Sequence, residues 1–102
     1  MKITVIGTGY VGLPTGVGFA ELGNDVICLD VDERKINTLK SGKVTIFEDG
    51  LEELFTRTTQ NGKLTFSTSF AESIPSADIV ILAVGTPPHP ITKEALLWEL
   101  VE

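Results

Sequence analysis

MKITVIGTGYVG, residues 1–12, decides the fold of this 102-residue chain. Its apolar, β-branched positions Ile3, Val5 and Ile6 predict a short buried strand. Gly7-Thr8-Gly9-Tyr10-Val11-Gly12 then matches the pattern G-x-G-x-x-G where that strand ends. In this pattern the first glycine permits a tight turn, the second lets the backbone approach a pyrophosphate, and the third lets a helix pack closely. The pattern alone is weak evidence, so its meaning depends on the rest of the chain.

The residues after Gly12 predict a helix that ends at Gly23-Asn24. DVICLD, residues 25–30, is apolar in its middle and predicts a second strand. Strand, glycine turn, helix and strand within about thirty residues indicate a βαβ unit with a right-handed crossover.

Asp30 stands at the carboxyl end of the second strand, 18 residues after Gly12. A carboxylate at this point accepts hydrogen bonds from an adenosine ribose and repels the extra phosphate of NADP, which favours NAD. The alternative is that Asp30 only caps the next helix, predicted over residues 31–40; the glycine pattern at the correct spacing favours ribose binding. Lys35, one turn further on, either reaches the adenosine side of the cofactor or is a solvated surface lysine.

The remaining segments complete an α/β fold. We predict a helix from Asp49, a half-exposed strand over residues 63–67, a short helix over 69–76, and a strand over 77–84 that is apolar on both faces. The fold class is then a doubly wound parallel sheet of about four strands in the order 3-2-1-4, with flanking helices. In this order the loop after the fourth strand neighbours the glycine turn, which places Thr86 beside the cofactor.

The composition argues against nucleic-acid binding and against a membrane span. A net charge of −6 disfavours nonspecific binding of nucleic acid, and no apolar run is long enough to span a membrane. The single cysteine, Cys28, lies within the second strand and is interpreted as a buried core residue. A lone cysteine and the absence of a signal-peptide pattern lead us to expect a cytoplasmic location. No metal site is expected, and His89 lacks a partner base or ligand that would indicate catalysis.

Four motifs together are specific to a family: the residue 7–13 turn, Leu29-Asp30-Val31-Asp32 with Lys35, the residue 47–54 segment, and Val84-Gly85-Thr86-Pro87. With them, residues 1 to about 95 resemble the N-terminal, Rossmann-like NAD-binding domain of the UDP-glucose/GDP-mannose dehydrogenases, in particular UDP-glucose 6-dehydrogenase. The resemblance implies oxidation of a nucleotide sugar's primary alcohol to an acid, with two NAD reduced and a covalent intermediate on a cysteine. The cofactor contacts that it implies fall on the glycine turn, Val11 in particular, and on Asp30, Lys35 and Thr86.

The chain also departs from that family. The family commonly has proline at the position of Asp49, and the tail from Ala95 drifts from its pattern. Its second, sugar-binding domain and its nucleophilic cysteine have no counterpart in this sequence. We therefore expect residues 1–102 to form a single, incomplete dinucleotide-binding domain that binds nucleotide without catalysing. We further expect a homo-oligomer through the exposed sheet edge or the 96–101 helix. The alternatives are a nucleotide-sensing module without catalysis and a site for flavin or another adenine nucleotide.

Overall fold

The structure, a computed structural model, describes residues 1–83, and this part of the chain contains four strands and four helices. In chain order they are β1 (Lys2–Ile6), α1 (Gly12–Glu21), β2 (Asp25–Leu29), α2 (Glu33–Lys40), α3 (Leu51–Gln60), β3 (Leu64–Ser67), α4 (Phe70–Ser73) and β4 (Ile79–Leu82). The strands are parallel and form one sheet in the order β3-β2-β1-β4. The predicted fold class and strand order are confirmed.

The sheet is covered by apolar packing on both faces. On one face β1 and β2 pack through Ile3, Val5 and Cys28 into a core that includes Leu13 of α1 and Phe55 of α3. A smaller cluster on the opposite face joins three buried residues, Ile6, Leu29 and Ile74. Burial on both faces explains why the first strand is an almost continuous β-branched run rather than an alternating one.

Helix α1 lies unusually close to β2. A Cβ atom added at Gly16 would stand 2.6 Å from the Cys28 Sγ, so the absence of a side chain at residue 16 is what allows this approach. Gly16 thus provides the close packing of α1 against β2. At Gly18, by contrast, an added Cβ would meet no neighbouring element in the described part of the chain.

The strand β4 is held in register on β1 at its amino end by a reciprocal contact. The Lys2 N–H donates to the Asp78 Oδ2 at 2.8 Å, and the Asp78 N–H donates to the Lys2 carbonyl at 2.8 Å. At the other end the Ala83 N–H donates to the Ile6 carbonyl at 2.8 Å. The chain therefore reaches the carboxyl edge of the sheet directly beside β1.

Several boundaries differ from the prediction. Helix α2 begins at Glu33, because Asp32 is its N-cap and accepts hydrogen bonds from the N–H groups of Arg34 and Lys35. Helix α3 begins at Leu51, after Gly50 with a φ of 80°.

The last two described elements also differ. Helix α4 is a single turn rather than the longer helix predicted over residues 69–76. Strand β4 is not buried on both faces: Ile79 is 43% exposed and the rest of the strand is half-buried. Within residues 1–83 this strand pairs on one side only, with β1. The predictions for residue 84 onward, including Thr86, His89 and the 96–101 helix, lie outside the described residues. No helix in the described part of the chain is long and apolar enough to cross a membrane.

Candidate functional site

The turn after β1 depends on two of its three glycines for steric reasons. Gly7 has a φ of 104°, in the region that favours glycine, and its N–H donates to the Leu29 carbonyl at 2.7 Å. A Cβ added at Gly12 would lie 1.8 Å from the Gly7 carbonyl oxygen and 3.3 Å from the Cβ of Ala83. The first turn of α1 therefore rests directly on the glycine turn, as the pattern predicts.

Gly9 differs from the other two because, apart from its chain neighbours, no atom of the described residues lies within 4 Å of the position where its Cβ would be. The packing of the described residues does not explain a glycine here. Instead, the missing side chain leaves open space beside the backbone, which fits the close approach of a ligand.

The start of α1 offers backbone donors to such a ligand. The N–H groups of residues 9–12 donate to no acceptor within residues 1–83, and the first helical turn contains no acidic side chain. These N–H groups lie at the positive end of the helix dipole. Free donors and a positive end together make this a suitable site for a phosphate.

The carboxylate of Asp30 is hydrogen-bonded to Thr8 of the glycine turn. Its Oδ2 accepts from the Thr8 hydroxyl at 2.7 Å and from the Thr8 N–H at 3.1 Å. Its Oδ1 accepts from the Asp32 N–H at 3.0 Å. The structure thus brings together the glycine pattern and the acidic residue that the sequence placed in the same site.

Asp30 carries a negative charge at neutral pH. Burial raises its pKa, but hydrogen bonds from Asp32 and Thr8 and the positive charge of Lys35 lower it by more. The net pKa lies below the ordinary value of an aspartate. An ionised carboxylate accepts hydrogen bonds from ribose hydroxyls and repels an additional phosphate.

The alternative that Asp30 caps the following helix is wrong. That cap is Asp32, whose Oδ1 accepts from the Arg34 N–H at 3.0 Å and the Lys35 N–H at 3.3 Å. Asp30 lies one step earlier, between the glycine turn and the loop, with only part of its accepting capacity used.

Exposed side chains surround this carboxyl edge. Lys35 is exposed and close enough for its charge to act on Asp30. Tyr10 and Val11, in the glycine turn, are 80% and 65% exposed. Val31, which the sequence analysis did not select as a site residue, is 78% exposed. An apolar residue between two aspartates was the signal that would have identified it.

A broad cleft elsewhere on the surface is poorly suited to a phosphate. Four carboxylate residues line it, at the start of α3: Glu48, Asp49, Glu52 and Glu53. Their charge repels phosphate, and no residue of the glycine turn lines the cleft. Within the described residues no group of His, Cys, Asp and Glu is arranged to hold a metal ion.

A parallel sheet in this order, with a glycine turn after its first strand and a carboxylate after its second, defines a Rossmann-like dinucleotide-binding domain. Residues 1–98 match the model of the UDP-glucose/GDP-mannose dehydrogenase family, NAD binding domain. The chain belongs to this family, and NAD, the predicted cofactor, is the ligand of its domain.

Individual relatives agree with this assignment. The UDP-glucose 6-dehydrogenase YwqF of Bacillus subtilis is 53% identical over 87 residues, which are 85% of this chain and 20% of that protein. Among solved structures, the GDP-mannose dehydrogenase of Pseudomonas aeruginosa matches 87% of this chain and 20% of its own, with a TM-score of 0.79 and 36% identity. A UDP-glucose dehydrogenase from Pyrobaculum islandicum matches 87% of this chain and 21% of its own, with a TM-score of 0.78 and 42% identity. The chain spans about a fifth of the length of the relatives it matches.

Proposed function

We propose that this chain binds the adenosine and pyrophosphate half of NAD for an enzyme that oxidises a nucleotide sugar, as the UDP-glucose 6-dehydrogenases do. The observation that carries the proposal is the attachment of Asp30 to the glycine turn through Thr8. This attachment holds a ribose acceptor and a phosphate site at the same edge of the sheet. Bound NAD would supply the acceptor for a hydride from the sugar.

The pyrophosphate and the adenosine ribose each have a partner in this proposal. The backbone N–H groups of residues 9–12 hold the pyrophosphate, and the open space at Gly9 admits it. Asp30 accepts from the adenosine ribose, and Lys35 approaches the same side. The exposed apolar surfaces of Tyr10 and Val11 flank the cofactor. Thr86, outside the described residues, is proposed to complete the site from the loop after β4.

The chain by itself is proposed to bind nucleotide without oxidising a sugar. Cys28 is fully buried in β2, and burial raises the pKa of its thiol to about 12, so it does not provide a nucleophile. The sugar, UDP-glucose in the resemblance, and its oxidation to an acid with two NAD are proposed for the whole enzyme. The range 1–102 is proposed as an incomplete dinucleotide-binding domain, and a cytoplasmic location, where NAD is available, belongs to the same proposal.

Calorimetric titration of the chain with NAD, ADP-ribose and NADP tests this function. We expect NAD and ADP-ribose to bind with similar affinity, because the proposed contacts reach only the adenosine and pyrophosphate groups. NADP should bind more weakly, because its additional phosphate meets the negative charge of Asp30. Absence of binding by both NAD and ADP-ribose would overturn the proposal, and NAD binding far tighter than ADP-ribose would show that the nicotinamide half is also held.

We also propose self-association through β4. This strand is at an edge of the described sheet and Ile79 is 43% exposed, so its surface and backbone groups can pair with a second copy. Light scattering should show a dimer or larger assembly, and Ile79→Lys should shift it towards monomer, since a charged edge residue opposes pairing. A monomer at high protein concentration would contradict this proposal.

A further inference from the structure

We propose that Thr8 is a positioning residue for the cofactor: its hydroxyl holds the Asp30 carboxylate in the orientation in which it accepts a hydroxyl of the adenosine ribose. The inference rests on the proposed function and deepens it. Thr8 occupies a position that G-x-G-x-x-G leaves unspecified, so the motif itself assigns no task to its side chain.

The burial of Thr8 shows that it acts through another residue. Its side chain is 1% exposed, although it lies in the turn that faces the ligand. Both of its donors, the N–H and the hydroxyl, point to the same oxygen of Asp30. A hydroxyl that is buried and already donating at 2.7 Å is not available to a phosphate. The pyrophosphate must therefore be held by the backbone N–H groups that follow.

The accepting capacity of Asp30 shows what this arrangement leaves for a ligand. A carboxylate has about four lone-pair positions. Two on Oδ2 are used by Thr8 and one on Oδ1 by the Asp32 N–H. The remaining position is on Oδ1. Thr8 thus fixes one oxygen so that the other faces outward in a defined orientation, and the restricted χ1 of a β-branched side chain makes this support rigid.

The surrounding charges do not replace this support. Lys35 of α2 acts on Asp30 by its charge, but it is exposed and makes no hydrogen bond to Asp30 among the described contacts. The carboxylate of Asp32 accepts from the N–H groups of Arg34 and Lys35, so it caps α2 and does not orient the Asp30 carboxylate. Thr8 and the Asp32 N–H are therefore the groups that orient the Asp30 carboxylate.

The test uses three threonine variants of the full chain. Thr8→Val removes the hydroxyl and keeps the branched shape, whereas Thr8→Ser keeps the hydroxyl. Thr4→Val is the matched control. Thr4 lies within β1 and is a buried threonine like Thr8, but its hydroxyl donates to the Ser73 carbonyl at 3.0 Å, away from Asp30. Each is combined with Asp30→Ala, and NAD affinity is measured for every protein after circular dichroism has shown that it is folded.

We expect Thr8→Val to weaken NAD binding about tenfold, the scale of one hydrogen bond to a charged group. Thr4→Val should bind NAD as the wild type does, and Thr8→Ser, which keeps the hydroxyl but loses the β-branch, should lose less affinity than Thr8→Val. In the Asp30→Ala background Thr8→Val should cause no further loss, because two residues that act as a unit are not additive. Equal affinity of Thr8→Val and wild type, or the same loss with and without Asp30, would overturn the inference.

A second measurement needs no ligand. Titration of the Asp30 carboxyl carbon by NMR should show a higher pKa in Thr8→Val than in wild type, since a hydrogen bond to the charged form is lost, and no change in Thr4→Val. An unchanged titration would show that Thr8 does not hold Asp30. If the wild type binds no NAD while this titration shifts as expected, the proposed function fails but the control of Asp30 by Thr8 stands.

Discussion

Gly12→Ala is expected to destabilise the fold by about 1–3 kcal/mol or more and to abolish NAD binding. The new Cβ would lie 1.8 Å from the Gly7 carbonyl oxygen and 2.7 Å from the Gly7 carbonyl carbon. Both are backbone atoms and cannot rotate away as a flexible side chain would. Helix α1 must therefore move off the glycine turn, which displaces the N–H groups proposed to hold the pyrophosphate. Chemical denaturation and calorimetry measure the two effects.

Gly18→Ala is the matched control in the same helix. Within residues 1–83, apart from its chain neighbours and the backbone of its own helix, no atom lies within 4 Å of its Cβ position, and the residue is exposed. Here alanine should stabilise the chain by roughly 0.5–1 kcal/mol, because a glycine inside a helix loses more conformational freedom on folding. The same glycine-to-alanine change should thus lower the free energy of unfolding at Gly12 and raise it at Gly18. Wild-type stability and NAD affinity in Gly12→Ala would show that α1 does not rest on the turn as described.

Asp30→Ala is expected to weaken NAD binding by about 1–2 kcal/mol, the scale of a hydrogen bond to a charged group. It should weaken NADP binding less, because the negative charge that opposes the additional phosphate is lost with the side chain. The affinity for NAD divided by the affinity for NADP, both measured by calorimetry, should therefore be lower in Asp30→Ala than in the wild type. A change in preference between the two cofactors identifies the ribose contact more specifically than a loss of affinity alone.

Asp25→Ala controls for the loss of a charge from the same strand. Asp25 begins β2, at the edge of the sheet opposite to Asp30, and makes an exposed ion pair with Lys63 at 3.3 Å. Such pairs contribute little to stability, and this one is remote from the glycine turn. Both affinities should stay at their wild-type values in this variant. An unchanged affinity in Asp30→Ala would remove Asp30 from the ribose site.

The features that could be predicted from the sequence are those with local signals. The β-branched run before Gly7 and the glycine spacing predict the first strand, turn and helix without knowledge of distant contacts. The strand order is predicted from the βαβ unit and the apolar run over residues 77–84, and it is confirmed. The position of Asp30 after β2 follows from counting residues, since the carboxyl ends of parallel strands lie at one edge.

The contacts that give the site its shape have no local signal. Thr8 and Asp30 are 22 residues apart, and nothing in either neighbourhood shows that they are bonded. The choice between Asp30 and Asp32 as the cap of α2 likewise depends on where β2 ends, because both are aspartates near the predicted start. The half-exposed state of β4 could not be read from its composition, since exposure depends on which strands pair with it and not on its own residues.

The contact between Lys2 and Asp78 has an effect at the far end of the sheet. It joins the amino ends of β1 and β4, five residues before Ala83, a distance of roughly 17 Å along an extended strand. Because paired parallel strands keep a fixed register, the Lys2–Asp78 contact determines which residue after β4 lies beside Gly12, and that residue is Ala83. A slip of one residue would turn every β4 side chain to the other face and put a different residue against the turn. The contact at the amino ends of the strands thus sets the position of the carboxyl edge, where the cofactor is proposed to bind.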